Sequence, residues 1–526
     1  MKRRRFLGAV AALPALSACS GATRTFPVRI VRPGMREGHA LRDGSAPAPP
    51  SGEVRCAVAV LGSGAAGLTA AWRLAREGQR DVVLVNGPEP DGNAAGGALA
   101  GIACPRGAHY LPLPGIDAMH VREILADLGI LLGDPRVRQP EYDEHALVHP
   151  AAERTLAGGV WHEGLLPAST TDEQGAVKAF NVAMQAFARH TGDDGRPGFT
   201  LPLAACSRDG ALRALDRLRF ADWLDAHDHR HPALRRYIDY AMRDDYGAPA
   251  ARISAWAGIH YFTCRRGEAH NAEAGTVLTW PGGLSTLTAG LRGRLGGTRT
   301  LTGYAAAIEE HRTGVRVTCI DTEGHSLMLQ ADHIICAMPL FAARRIDPAL
   351  AAGLPREALP ASSPWLVTNV LLHGFPHEKP GVDLAWDNVL HEGPGLGYVV
   401  ATHQLTRVAR PAKTVFTAYQ SGWTDSAAAR RWMANTNDGA LLDFALGDLD
   451  VAYDPRWRER IREVEIVLRA HAMAVPEPGF LDAPARALRT SSGRVLHAHA
   501  DISGLSLFEE ASWWGDQAAK TLLGRY

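Results

Sequence analysis

The spacing of apolar residues changes along the chain, and each change marks an element. Val54 to Leu61 is a nearly continuous apolar run broken only by Arg55, the pattern of a strand buried on both faces. It leads into Gly62-Ser63-Gly64-Ala65-Ala66-Gly67. A helix is predicted from Leu68 to Glu77, with Leu68, Ala71, Trp72 and Ala75 on one face and Gly78 as its stop. A second apolar strand, Asp81 to Val85, completes a strand–helix–strand opening. Asp117 is placed to cap a helix that carries Val121, Ile124, Leu125 and Leu128 on one face. Val177, Phe180, Met184 and Phe187 form another helical stripe, and both stripes read as core. Further on, Val315, Val317 and Cys319 alternate, Glu323-Gly324 makes a turn, and Leu327 to Leu329 returns, which predicts a hairpin. Trp365 to Leu372 and Gly397 to Thr402 are strand-like runs.

Length and composition narrow the picture. A chain of 526 residues exceeds one hydrophobic core and implies two domains or one with a large insertion. An apolar fraction of 46% with 21% charged residues is that of a globular protein, not a disordered one. With 56 basic and 56 acidic residues there is no general basic field, and no nucleic acid is expected as a partner. The seven cysteines are scattered without CxxC spacing, so neither a zinc site nor a disulfide scaffold is expected. Cys56 and Cys319 fall in strands, where a thiol acts as a small hydrophobe. His227, His229 and His231 alternate in a polar stretch but lack Cys or Glu at ligand spacing, and read as a solvated loop.

The first residues read as an address. Lys2 to Arg5 precede a short apolar stretch, Phe6 to Ala18, too short for a permanent span. Arg3-Arg4-Arg5-Phe6-Leu7 resembles a twin-arginine export signal, and Leu16-Ser17-Ala18-Cys19 a bacterial lipobox. The expectation is an export signal over 1–19, with a lipidated Cys19 anchoring the protein on the periplasmic side of the inner membrane. A plain secretory signal is the other reading. Residues 20–51, rich in Gly, Pro, Ala and Arg, read as a tether.

The glycines at 62–67 carry the first chemistry. Gly62 permits the tight turn, Gly64 lets backbone approach a pyrophosphate, and Gly67 lets the helix lie close on the sheet. The helix start then presents free N–H groups to phosphate. Ser63 and Ala66 belong to the same cradle. Where an acid normally receives the ribose hydroxyls the chain has Asn86, with Glu89 three residues on.

With these residues in place, the chain resembles the flavin-containing amine oxidase family, whose members bind FAD. Three segments carry the resemblance. Pro90-Asp91-Gly92-Asn93-Ala94-Ala95-Gly96-Gly97 stands where the family has a Gly-Gly-Arg turn, with Asn93 in place of the arginine. Gly107-Ala108-His109-Tyr110 resembles the segment beside the flavin ring. Trp280 to Leu287 resembles the family's Pro-Gly-Gly turn, and Ala331 to Leu340 its "AD-x-V-I-x-A-x-P-L" strand. Gly493 to Ala511 resembles its final strand and helix. The resemblance implies that Gly92 and Asn93 lie by the cofactor phosphates, and that Asp501 binds the ribityl or phosphate part. It further implies that Ser506, Leu507 and Phe508 meet the flavin pyrimidine edge.

The implied fold is α/β, a Rossmann-like FAD domain from 52–115, 271–344 and 485–526, plus a mixed α+β substrate domain from 116–270 and 345–484. Many family members place a lysine in the strand occupied here by Thr368 and Asn369. No catalytic residue is assigned; His109, Tyr110, Asn369 and Trp386 are the flavin-proximal candidates, and Trp280 and Trp513 are further tryptophans within reach of the site. His497 and His499 share one face near FAD. Asp239, Asp244 and Asp245, near Tyr246, could attract a cationic substrate, although a solvated helix end is the simpler reading. The expected activity is dehydrogenation of a small organic substrate, an amine or polyamine, with O2, a quinone or a redox protein as electron acceptor. A C–C desaturase or porphyrinogen-type oxidase, or a non-catalytic flavin-binding envelope lipoprotein, are the alternatives.

Overall fold

Glu53–Leu61 is a strand at the centre of a seven-stranded sheet, with Val82–Val85 and Ser326–Cys336 parallel on either side. The computed structural model describes residues 26–44, 47–167, 170–407, 409–490 and 493–525. Arg299–Leu301 extends the sheet in parallel beyond Val82–Val85. Ser326–Cys336 does two jobs. Its first half pairs antiparallel with Gly314–Ile320 as the expected hairpin, while along its length it runs parallel to Glu53–Leu61. Its last residues also pair with Val495–His497 from the far end of the chain. Val58 to Leu61, Val82 to Val85 and Ile334 to Cys336 are all buried, which is why these runs read as apolar without alternation.

The second sheet has eight strands, in the order Val28–Val31, Ile461–Ala474, Ser362–His373, Lys413–Gln420, Gly397–Val400, Asp387–Leu390, Glu153–Ala157, Val160–Glu163. Its two faces are set by the period of two. Leu366, Val370, Leu372, Phe416 and Ile466 pack under the helix Asp438–Ala452. Trp365, Val367, Val389, Val399, Tyr419 and Val467 turn the other way, into a separate cluster with Tyr240 and Trp386.

Helices pack around the two sheets. Thr171–Arg189 begins with a capping box at Thr170 and buries Phe180 and Met184. Pro232–Tyr246 starts on Pro232 and stops at Gly247, whose φ of 67° is the left-handed conformation of a helix end. Phe508–Leu523 lies on Ala65–Arg76 so closely that a Cβ at Gly515 would sit 2.1 Å from the Ala66 carbonyl oxygen.

Three expectations are corrected. Part of the stretch read as a tether is folded: Val28–Val31 is an edge strand parallel to Ile461–Ala474, and Met35–Arg42 is a helix. Val28 and Ile30 bury against the second sheet, so a four-residue apolar alternation outweighs the Gly- and Pro-rich surroundings. Asp117 does not cap its helix, which spans Met119–Asp127; its carboxylate instead accepts from the Thr200 hydroxyl at 2.7 Å. His227, His229 and His231 do lie in the loop between Phe220–Ala226 and Pro232–Tyr246, with His227 exposed, but the loop is not solvated throughout. His227 stacks on Trp223, His229 is buried against Phe180 and Trp223, and His231 caps the helix that follows. The segment read as an export signal, Met1 to Ser20 with Cys19, lies outside the described residues. Among those described, no helix is long and apolar enough to cross a membrane.

Candidate active site

The glycine turn has the geometry that a phosphate cradle needs. Gly62 has φ 103°, and a Cβ there would meet the Ala337 carbonyl at 3.0 Å. At Gly67 a Cβ would lie 1.8 Å from the Gly62 carbonyl oxygen, so only glycine lets this helix approach its strand. Gly64 caps the helix Ala65–Arg76 without a side-chain hydrogen bond, and nothing lies nearer than 4.0 Å to where its Cβ would be. The first-turn N–H groups therefore face open space with no side chain competing for them.

The other segments converge on the turn. Ser63 Oγ donates to the Asn86 carbonyl at 2.9 Å. Arg292, from the helix Ser285–Gly293, reaches Asn86 Oδ1 at 3.1 Å and Asp91 Oδ1 at 2.8 Å. Asp501 Oδ2 accepts from the Leu340 N–H at 2.9 Å, three residues beyond the Ala337 that touches Gly62. Burial opposes its charge, but His499 beside it and that N–H hold the Asp501 carboxyl below its ordinary value. His497 pairs instead with Asp347, at 3.4 Å. Ser506 Oγ accepts from the Ala474 N–H, Leu507 caps Phe508–Leu523 with no side-chain bond, and Phe508 packs beside Ala94 and Leu284.

A polar network fills the positions around Asn93. Asn93 Nδ2 donates to the Ala472 carbonyl, and the Asn93 carbonyl accepts from Ala108 N–H at 2.8 Å. A Cβ at Gly107 would strike that same carbonyl at 2.1 Å. Gly92 has φ 55° and lies against Gly64. Arg469 spans the two sheets: it binds Glu89 through both carboxylate oxygens, at 2.6 and 2.8 Å, and reaches Asn93 Oδ1 at 3.4 Å. Glu89 is thus committed to Arg469, and the acceptor at the end of the second strand is Asn86, held by Arg292. Neither arginine stood out in the sequence, since their partners lie 201 and 380 positions away.

The segment Gly107 to Tyr110 is braced from behind. Leu284 N–H donates to Ala108 O at 3.0 Å, Thr279 Oγ1 donates to His109 O at 2.8 Å, and Thr279 pairs with Tyr110 in a short two-stranded sheet. In front of it the rings gather. His109 stacks on Tyr419 at 4.6 Å and lies 5.6 Å from Trp386; Tyr110 is edge-on to Trp386 at 6.2 Å. Asn369 sits on the same face of its strand, while Thr368 points to the opposite face. Asn369 is a structural joint: it donates to the Pro105 carbonyl at 3.0 Å and accepts from Thr417 at 2.7 Å. Beside it Glu465, fully buried, takes both donors of Arg106 at 2.8 and 2.6 Å and an ion pair from Arg29.

Acidic groups meet these rings. Tyr237, Tyr240 and Asp244 fall on one stripe of the helix Pro232–Tyr246, and Tyr110 Oη donates to Asp244 Oδ2 at 3.4 Å. Burial, reinforced by the charge of Asp245, pushes the Asp244 carboxyl up to about 7. Burial, with Glu153 and Asp244 nearby, pushes Asp387 well above its ordinary value, and burial also raises Glu153. Each of the three keeps some accessible surface although burial dominates its titration, the combination expected of groups lining an enclosed cavity. Asp245 is different, because Arg265 pairs with it directly. Among the described residues, Asp244, Asp387 and Glu153 have no basic side chain at ion-pair distance. The reading of Asp244 and Asp245 as a solvated helix end is therefore corrected; Asp239 lies outside the cavity and accepts from Ala250 N–H. Burial lowers His109 to about 3, so this imidazole is neutral. Asp387, Glu153, Tyr240 and Tyr419 were missed in the sequence, although Asp387 directly follows the flagged Trp386.

The family model for flavin-containing amine oxidoreductases matches residues 65–453. The chain belongs to this family. A search of curated protein sequences returns no match. Solved structures give the same fold at low identity. A putrescine oxidase bound to putrescine aligns at TM-score 0.63 and 16% identity, over 90% of this chain and 100% of that one. Cyclohexylamine oxidase from Brevibacterium oxydans aligns at 0.61 and 18%, over 89% and 99%. A putative protoporphyrinogen oxidase from Exiguobacterium aligns at 0.59 and 13%, over 91% and 100%. This amine oxidoreductase family member is an FAD-dependent oxidoreductase of mixed α/β fold. Its residues suit the cofactor: an uncapped helix start at the open Gly64 between the close-packed Gly62 and Gly67, an amide at the ribose position held by an arginine, and the largely buried Asp501 carboxylate tied to the chain just beyond Ala337. Among the described residues, Cys56, Cys104, Cys206, Cys264, Cys319 and Cys336 are free and buried.

Proposed function

We propose that this flavoenzyme dehydrogenates an amine, and that the class its cavity suits best is a diamine or polyamine. The observation that carries this reading is the set of three half-buried carboxyl groups, Asp244, Asp387 and Glu153, which among the described residues have no basic side chain at ion-pair distance and lie beside Tyr110, Tyr240, Tyr419 and Trp386. Buried acids without partners are costly, and an organic cation is the ligand that relieves the cost. Aromatic faces add cation–π attraction for the same ligand. An apolar polyene would leave all three carboxyls unrelieved, which disfavours C–C desaturation. The organised cavity likewise argues against a binding protein without turnover.

In this reading Gly62, Ser63, Gly64, Ala66 and Gly67 hold the pyrophosphate, Asn86 the ribose, Gly92 and Asn93 the phosphate flank, and Asp501 the ribityl side. Ser506, Leu507 and Phe508 edge the flavin. When bound, FAD supplies the two-electron acceptor for a hydride from the carbon next to nitrogen. The chain does the rest. Carboxylates draw the ammonium groups in, and the rings exclude water and fix the chain of the substrate. The reacting nitrogen must be neutral, and a carboxyl with a value of about 7 is poised to take its proton, which assigns Asp244 as general base. O2, a quinone or a redox protein would serve as the final electron acceptor. Export and lipid anchoring at Cys19 belong to the same proposal; metabolic labelling of the native protein with a fatty acid, abolished by Cys19→Ser, tests them. Function is tested by adding terminal diamines, monoamines and an apolar polyene in turn to the purified holoprotein without oxygen. Bleaching of the flavin band by diamines supports the reading, and bleaching by the polyene alone overturns it.

A further inference from the structure

Outside the acid cavity, a surface groove of about 670 Å³ runs between the helices Phe220–Ala226 and Pro232–Tyr246 and the end of the strand Asp387–Leu390. Its charged lining sorts into pairs and a remainder. Arg235 is tied to Asp225, and Arg230 to Asp228. Asp239 accepts the Ala250 N–H. Arg243 donates only to the carbonyls of Gly395 and Ser421, and the exposed Arg236 meets no carboxylate among the described residues. Next to them, His391 has a buried Nε2 with no hydrogen-bond partner among the described residues. Burial, aided by Arg236 and Arg243, lowers His391 to about 4, so its ring is neutral and adds no charge to theirs; the nearby acids are Asp239, one helical turn from each arginine, and the buried Asp448, which feels the charge of Arg243.

The groove and the acid cavity share a wall. Tyr240 lines the groove, with its ring 5.6 Å from His391, and also belongs to the buried cluster with Trp386 and Tyr419. Asp387 and His391 belong to one run of chain, Asp387 inside and His391 in the groove. Four residues of extended chain place them roughly 13 Å apart. Carboxyls thus lie on the inner side of Tyr240, and the two arginines of the groove on its outer side.

We propose that this groove is an outer subsite of the same active site, taking the carboxylate or phosphonate end of an elongated amine whose nitrogen reaches past Tyr240 to Asp244 and Asp387. The proposal rests on the amine reading of the inner cavity. Arg236 and Arg243 supply the cationic contacts, His391 Nε2 a neutral hydrogen bond, and Tyr240 the partition that the substrate must pass.

The test uses the flavin-loaded protein and substrates of matched length: an ω-amino carboxylic acid, an ω-amino phosphonate and the corresponding n-alkylamine. In the wild type, one or both acids should show a higher kcat/KM than the alkylamine. Arg236→Gln should lower the ratio of acid to alkylamine by about fivefold, as for one partly solvated ion pair. His391→Gln, which keeps a donor, should lower it less. Which acid gains identifies the group bound. An alkylamine turned over as well as both acids overturns the subsite while leaving the amine function standing. A ratio unmoved by Arg236→Gln overturns it too. If no amine of any kind reduces the flavin, the functional reading fails and the subsite falls with it.

Discussion

Replacing Asp244 by asparagine probes the cavity through one atom pair. The ordinary carboxyl value of 3.8 is carried to about 7 here, mainly by burial and then by Asp245. That displacement corresponds to about 4 kcal/mol between the two protonation states as an upper bound. The side chain retains some accessible surface, so screening by water in the cavity reduces the expected value to about 2 kcal/mol. The sign follows from linkage. Because the folded value lies above the unfolded one, the ligand-free protein holds the proton more tightly, and this group's contribution falls as pH rises from about 4 to about 7. The amide of the variant has no proton to lose. Substrate-free Asp244→Asn should therefore match the wild type near pH 4 and exceed it at pH 8, by ~2 °C in melting temperature for a chain of this size. With a diamine the order reverses. Losing one partner of a buried ion pair costs about 3 kcal/mol, or roughly a hundredfold in kcat/KM. Thermal melts at the two pH values, with steady-state kinetics on one diamine, measure both effects. A variant equally stable relative to wild type at both pH values, with unchanged kcat/KM, would refute the reasoning.

Gly67→Ala should abolish FAD retention, since its Cβ would lie 1.8 Å from the Gly62 carbonyl oxygen; the flavin-to-protein absorbance ratio after purification reads this out. The His497–Asp347 pair should make stability fall with alkaline pH. Burial opposes protonation, but Asp347 carries His497 from 6.5 up to about 9, so the contribution is complete below pH 6.5 and is lost as pH rises through 9. Melting curves across that window should flatten in His497→Gln; an unchanged slope would show that the pair does not titrate there. Glu465→Gln removes the counter-charge from Arg29 and Arg106 and should destabilise the protein by about 3 kcal/mol, which thermal or denaturant unfolding would detect.

Much of the architecture could be read before the structure. Strands buried on both faces show as nearly unbroken apolar runs, and Val54 to Leu61 stood out for that reason, whereas Ala331 to Leu340 was legible through its resemblance to a family motif. The glycine turn was legible because no other residue permits its contacts. What escaped depends on distance along the chain. Arg292, Arg469 and Glu465 act through partners 201, 380 and 359 positions away, and no local period encodes such pairing. The Asp244 region was misjudged for a related reason. A pair of acids at a helix end usually faces water, and only the return of Tyr110 and Asp387 from other elements turns this end inward. Val28–Val31 was hidden by its setting, because a four-residue strand on a sheet edge carries little signal beside Gly and Pro.

That edge strand also bears on location. If Cys19 carries lipid, eight steps of chain reach from it to Pro27, at most about 28 Å when fully extended. The catalytic body would then sit against the bilayer, within reach of a membrane quinone.

The most direct test of the acid-lined cavity is anaerobic stopped-flow reduction of the bound flavin by a terminal diamine and by a monoamine of equal length, from pH 6 to 9. On this account, reduction by the diamine, whose second ammonium meets Asp387 and Glu153, should be faster and tighter, with both rates rising as pH passes about 7 and losing that rise in Asp244→Asn. Equal rates for the two amines at every pH, or no reduction by either, would contradict it.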